Sequence, residues 1–153
     1  MKTLRVGIIG AGGMAQVHAR AYQKDRQVMI VSCADVDSQK AFMFAKQFSI
    51  PSIYQDFREM LEKEAIDAVS ITTPNHIHGH ILKDILSRNV HALIEKPMVP
   101  SLLEAEEIQK IALNSQSILQ VGHMWRFHPD VEFIKQIIKE GYIGEIFRIK
   151  SYA

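Results

Sequence analysis

The feature that most constrains this chain is an alternation of two kinds of segment. Short runs of Val, Ile and Leu are separated by longer amphipathic stretches. "LRVGII" (4–9), "VMIVSCA" (28–34), "DAVSIT" (67–72), "VHALIE" (90–95) and "SILQVG" (117–122) read as strands. Residues 13–25, 38–48, 56–64, 75–89 and 101–114 read as helices, the fourth with Gly79 as its weak point. Pro129 at a start and Gly141 just past an end mark one more helix. Asp56 with Glu59, and Ser101 with Glu104, stand at capping-box spacing. Nearly continuous apolar strands suit burial on both faces. Strand–helix alternation at these lengths predicts an α/β fold, a doubly wound parallel sheet with helices on both faces. The last segment, "GEIFRIKSYA", breaks the rhythm by alternating apolar and polar residues. It is expected to begin a strand with one wet face, whose free edge invites pairing between chains and so a homo-oligomer.

Length and charge narrow the class. The 153 residues suit one domain, or one domain and a piece of another. A net charge of +1 without a basic block argues against a nucleic-acid partner. The single cysteine, Cys33, excludes an internal disulfide and, in its apolar run, reads as buried and inert. The first apolar run is too short for a signal-peptide core, and no run approaches the roughly 18 residues of a membrane span. A cytoplasmic protein without a membrane partner is expected.

The chemistry begins at "VGIIGAGGMAQVHA". Gly10, Gly12 and Ala15 stand at G-x-G-x-x-A spacing, after a strand and at the opening of a helix. Gly10 suits the tight turn, and Ala15 lets the helix pack on the sheet. Gly12 leaves room for a pyrophosphate against the helix N-terminus, where free N–H groups favour negative charge. Gly13 and Met14 belong to the same turn. Glycines serve many strand–helix turns without any ligand, so the acid at the end of the second strand carries weight. Asp35 follows Gly10 by 25 positions, and its carboxylate can accept both hydroxyls of an adenosine ribose. It would repel a 2′-phosphate, which favours NAD over NADP. Asp37 reads as a helix cap. A methyltransferase that binds S-adenosylmethionine can show a similar turn and acid.

"TTPNHIHGH" and "IEKPM" follow two further strands, at the ends where open α/β sheets bind ligands. Lys96, before a proline, is held in an extended or turn geometry there, although a surface charge is the plain alternative. With "GAGGMA", "ADVD", "TPNHIH", "EKPM" and "VGHMWRFHP" in this order, the chain resembles the Gfo/Idh/MocA oxidoreductases. The resemblance covers nearly the whole chain, and "EKP" is its strongest single mark.

The resemblance implies an NAD(P)-dependent dehydrogenase or reductase, moving a hydride between nicotinamide and a sugar, cyclitol or polyol. Gly10, Gly12 and Ala15 would line the pyrophosphate turn, and Asp35 would bind the adenosine ribose. Thr73, Pro74, Asn75 and His78 would border the cofactor, and Glu95 would approach the nicotinamide ribose. Lys96 would be the catalytic lysine, its charge favouring an alkoxide-like oxygen as hydride leaves carbon. Trp125 and Arg126 would face the substrate. Residues 1–122 would form the NAD(P)-binding Rossmann domain. Residues 123–153 would be a connecting helix and the first strand of a truncated second domain, which in the family supplies the acid–base histidine. Taken alone, the chain is expected to bind cofactor with little turnover. The alternative is a non-catalytic dinucleotide-binding module or sensor, which would have no need of Lys96.

No metal site is expected. His76 and His80 share a helical face but His78 does not, and no carboxylate accompanies them. Pro129 should force His128 out of helical geometry into a cap position. No Ser–His–Asp triad can be assembled from the sequence.

Overall fold

The computed structural model describes residues 3–150. The chain divides after Gly122 into two compact units. In the first, the elements run β1 (Leu4–Ile9), α1 (Gly13–Tyr22), β2 (Val28–Ala34), α2 (Ser38–Phe48), β3 (Ser52–Tyr54), α3 (Phe57–Lys63), β4 (Ala68–Ile71), α4 (His78–Ser87), β5 (His91–Ile94), α5 (Leu102–Asn114) and β6 (Leu119–Val121). The sheet order is β3-β2-β1-β4-β5-β6, and every pairing is parallel. The strand order reverses direction between β1 and β4, the place where doubly wound sheets open a crevice.

The central strands β1 and β2 each serve two cores. On β1, Ile9 joins one apolar cluster with Met60 of α3, Ile81, Leu82 and Ile85 of α4 and Ile108 of α5. Ile8, one residue earlier, joins the opposite cluster with Ala15 and Ala19 of α1, Cys33, and Phe44 and Phe48 of α2. The period-2 pleat thus explains why the strands lack a polar face. Caps fall where the sequence places them. The carboxylate of Asp37 accepts from Gln39 N and Lys40 N, that of Asp56 from Arg58 N, and the hydroxyl of Ser101 from Glu104 N.

Register fixes the rim of the crevice. Tyr54, Ala34, Ile9, Ile71, Ile94 and Val121 form one continuous row across all six strands. The residues that follow five of them, Asp35, Gly10, Thr72, Glu95 and Gly122, therefore stand side by side at the carboxyl ends of their strands.

Four expectations need correction. The strand β3 escapes the sequence because three residues, "SIY", carry no readable periodicity. The helix expected from residue 75 starts with a 3-10 turn at Asn75–Ile77 and becomes α-helical only at His78. Gly79 is not its weak point: it is buried, and a Cβ there would lie 3.0 Å from Glu104 Oε1 and 3.5 Å from Val99, so the glycine lets the α5 side approach. Residues 145–150 form no strand, and 151–153 lie outside the described residues. A strand is held by a neighbour's hydrogen bonds, and no described segment provides them.

The second unit contains a 3-10 turn at Met124–Phe127 and α6 (Pro129–Lys139). His128 caps α6 through its ring, Nδ1 accepting from Asp130 N at 3.3 Å. Gly141 follows the helix with φ +76°, a value that glycine adopts readily. No residue of α6 is buried. Among the described residues, no helix is long and apolar enough to cross a membrane.

Candidate functional site

The glycine turn is held by backbone. Gly10 has φ +92°, and its N–H donates to Ala34 O at 2.8 Å. A Cβ at this position would meet the Thr72 backbone at 3.0–3.1 Å, so only glycine fits. Thr72 clamps the turn from the other side, its N–H donating to Ile9 O at 2.9 Å and its hydroxyl to Gly10 O at 3.0 Å. Asp35 closes the arrangement. Its Oδ2 accepts from Ala11 N at 2.7 Å and its Oδ1 from Asp37 N at 2.9 Å. The acid therefore braces the turn while keeping lone pairs on both oxygens.

The surface beyond the turn fits an anionic nucleotide. Gly12 is the N-cap of α1 and offers no side-chain cap. The first intrahelical bond runs from Gln16 N, so the N–H groups of Gly13, Met14 and Ala15 have no acceptor within the helix. A Cβ on Gly12 or Gly13 would meet nothing within 4 Å, which leaves open space for a phosphate beside those donors. Thr73, which packs against the Gly10 turn, holds a buried hydroxyl without a partner among the described residues. Beneath the turn, burial and the nearby Asp35 charge push the Cys33 thiol up to about 12. The thiol makes a long contact to Ala41 O and stays protonated, so it offers no nucleophile.

The other half of the rim relies on side chains. Pro74, Asn75 and His76 are exposed at the crevice edge. His78, expected beside the cofactor, is instead 1% exposed behind the rim. Its Nε2 faces Thr73 O at 2.9 Å, and its Nδ1 faces Pro97 O at 3.0 Å and Met98 O at 3.1 Å. It pins the loop after β4 to the loop after β5. Lys96 is exposed, its bond to Pro97 is cis, and its ammonium forms no ion pair among the described residues. Glu95, expected toward the nicotinamide ribose, turns inward. Its Oε1 lies 3.0 Å from His18 Nε2, and its Oε2 accepts from Lys96 N at 3.3 Å.

His18 and Ser70 are residues that the sequence reading missed. His18 projects from α1, and its Nδ1 lies 2.5 Å from the hydroxyl of the fully buried Ser70 on β4. Tyr22, one turn further along α1, lies edge-on to the His18 ring and hydrogen-bonds Ser70. Burial raises the Tyr22 phenol above its ordinary value, against a smaller opposing effect of that bond. The available signal was helical spacing, since His18 and Tyr22 share a face with the buried Ala15 and Ala19. Ser70, His18 and Glu95 together look like a hydrolytic triad. Ser70 is fully buried, however, and no substrate carbonyl can reach it.

The three histidines of "HIHGH" do not converge, and among the described residues no group of three metal-ligating side chains is placed to hold an ion. Trp125 and Arg126 lie in the second unit. There the Trp125 ring stands 5.2 Å from that of His128, and Arg126 N donates to His123 O.

Comparison with known proteins agrees with this geometry. The profile described as "Oxidoreductase family, NAD-binding Rossmann fold" matches residues 4–123. The rhizopine catabolism protein MocA of Rhizobium meliloti is 30% identical over 99% of this chain and 47% of its own length. Inositol 2-dehydrogenase 4 of Saccharopolyspora erythraea is 31% identical over 94% of this chain and 43% of its own length. The crystal structure of scyllo-inositol dehydrogenase from Lactobacillus casei with bound NAD(H) and scyllo-inositol superposes with a TM-score of 0.89 at 27% identity. That match covers 95% of this chain and 43% of the other. The chain thus spans less than half the length of these relatives. With the turn, the strand-end row and the profile in agreement, the chain belongs to the Gfo/Idh/MocA oxidoreductases, a family with an NAD-binding Rossmann fold.

Proposed function

We propose that this chain is the cofactor-holding part of an NAD-dependent dehydrogenase that acts on a cyclitol, sugar or related polyol. The observation that carries the reading is the strand-end row. It sets Asp35, the Gly10 turn and Glu95 side by side, with an exposed Lys96 immediately after. The N–H groups of Gly13, Met14 and Ala15 hold the pyrophosphate, with Gly10 and Gly12 leaving it room. Asp35 accepts the adenosine ribose hydroxyls on the lone pairs that the turn leaves free. Thr73, Pro74 and Asn75 border the cofactor, Thr73 offering its unpartnered hydroxyl, and His78 holds that border in place from behind. NAD, when bound, supplies the hydride acceptor. Lys96 places a positive charge where the substrate oxygen becomes alkoxide-like, and Trp125 and Arg126 belong to the substrate side.

The substrate class rests on the inositol dehydrogenases among the relatives. For the 153 residues taken alone, cofactor binding with little turnover is expected. A calorimetric titration with NADH, NADPH and S-adenosylmethionine tests the reading. Binding of NADH at least tenfold tighter than of NADPH supports it, since Asp35 repels a 2′-phosphate. Binding of S-adenosylmethionine alone, or of none of the three, overturns it.

A further inference from the structure

We infer that His18 is a positioning residue for Lys96, tying the helix that opens at the glycine turn to the lysine on the far side of the crevice. The inference rests on the reading above that Lys96 lies beside the nicotinamide.

The hydrogen-bond inventory is directional. A carboxylate only accepts, so the 3.0 Å contact from His18 to Glu95 Oε1 needs an N–H on Nε2. In the neutral ring Nδ1 is then an acceptor, and the Ser70 hydroxyl, 2.5 Å away, donates to it. The carboxylate sets the tautomer, and the Ser70 hydroxyl supports it from the other ring nitrogen. The second oxygen of Glu95 receives the backbone N–H of Lys96 at 3.3 Å. Gly122, just after β6, closes the space behind, where a Cβ would stand 3.1 Å from Glu95 Oε1. The backbone after the lysine is held independently, by the His78 ring against Pro97 O and Met98 O. Lys96 is thereby bracketed. Its N–H hangs on Glu95 and His18, and the two carbonyls after it hang on His78.

The side chains of this chain of contacts are buried or nearly so. The His18 and Glu95 side chains are 11% and 13% exposed, and Ser70 is fully buried. His18 lies on the same helix as the pyrophosphate donors Gly13, Met14 and Ala15. One rigid helix therefore sets both the phosphate end of the site and, through Glu95, the lysine end. Without His18, the Glu95 carboxylate is free to leave its inward position, and the Lys96 N–H loses its fixed acceptor.

The test uses the full chain and three ligands. ADP-ribose lacks the nicotinamide and reports only on the glycine turn and Asp35. NAD+ and NADH differ in the charge of the nicotinamide ring, so their affinity ratio reports where the Lys96 ammonium stands. Lys96→Met should lower the NADH preference about fivefold, the size expected for removing one partly solvated charge. His18→Leu should lower it by a similar factor, with ADP-ribose affinity within twofold of the parent. His18→Gln, whose amide offers one donor and one acceptor, should restore most of the preference. In the Lys96→Met background, His18→Leu should change nothing further.

An unchanged ratio in His18→Leu with intact ADP-ribose binding overturns the positioning role. A His18→Leu effect that persists in the Lys96→Met background overturns it too, because the effect then runs through Glu95 alone. If His18→Leu does not fold, Ser70→Ala, which keeps the ring and removes the partner that holds its Nδ1, is read the same way. A reduced ratio supports the role and an unchanged ratio overturns it. Failure of the parent chain to bind ADP-ribose removes the cofactor-site reading itself, and the positioning role with it.

Discussion

The two halves of the crevice solve the same problem with different materials. On the β1–β2 side, the turn is made of backbone. Gly10 N donates to Ala34 O and Thr72 N to Ile9 O, and a single carboxylate, Asp35, locks two N–H groups. On the β4–β5 side, the loops after β4 and β5 are tied together by buried side chains. His78 reaches three carbonyls, and His18 links Ser70 to Glu95. At Gly10 the backbone-built side tolerates no added atom. A side-chain-built site is sensitive to lost hydrogen bonds, because each lost partner leaves a buried polar group unsatisfied. The halves should therefore fail in different ways.

The largest effect is expected where an atom is added to the backbone half. Gly10→Val places a β-branched residue at φ +92° and drives its Cβ to 3.0 Å from the Thr72 backbone. Strain and overlap together should cost about 3 kcal/mol or more. Urea unfolding followed by circular dichroism measures it, and a loss under about 1 kcal/mol would mean that the turn is softer than its contacts imply.

The matching change in the other half removes atoms' partners rather than adding bulk. His78→Leu roughly keeps volume but removes the ring nitrogens that face the carbonyls of Thr73, Pro97 and Met98. A cost of about 2–3 kcal/mol is expected in the same unfolding experiment. His78→Gln, which can still donate, should recover part of it. Equal losses for Leu and Gln would show that shape, not hydrogen bonding, is what the site needs.

A third change separates fold from ligand within the backbone half. Gly12 has φ −83° and ψ −165°, and a Cβ there meets nothing. An aspartate at this N-cap position can bond the free N–H groups of α1, so Gly12→Asp should stabilise the chain by a few tenths of a kcal/mol. The same carboxylate occupies the phosphate's place and repels it. NADH affinity should fall at least tenfold by calorimetry while the melting temperature holds or rises. A parallel loss of both would merge the two roles that Gly10 and Gly12 are here given separately.

The same division explains what the sequence made legible. Backbone devices leave local marks: Gly10 and Gly12 at fixed spacing, Asp35 at the end of a strand, Asp37 and Ser101 before helices. Five of the six strands could be read from their short, mainly apolar runs, whereas β3 is too short to show any pattern. The side-chain devices join residues far apart in the chain. His18 and Glu95 are 77 positions apart and Ser70 and His18 are 52. Their meeting depends on the strand order, with β4 and β5 stacked beside β1, and no local window holds that order. His78 lay inside a recognised motif, yet its direction could not be read. The face it presents follows from a 3-10 turn at Asn75–Ile77 that the helical pattern hid.

One buried acid from each half can also be compared through pH. Cys33, under the glycine turn, has its thiol pushed up from the ordinary 9.0 to about 12, by burial first and by Asp35 second. The Tyr22 phenol, in the side-chain half, is also raised by burial. For both groups the folded state holds its proton more tightly than the unfolded chain. The stabilisation is complete below the unfolded value and is lost as pH climbs through the folded one. Stability should therefore start to fall above about pH 9 on account of Cys33, by about 1 kcal/mol at pH 10. Tyr22 should add to the fall only above about pH 10. Cys33→Ala lowers overall stability through its small cavity, but its melting temperature should decline less steeply between pH 8 and pH 10 than the parent's. Tyr22→Phe should leave that interval unchanged and flatten only the decline above it. Parallel pH curves for Cys33→Ala and the parent would mean that the thiol under the turn is better solvated than its burial indicates. The backbone half would then be the looser of the two, not the tighter.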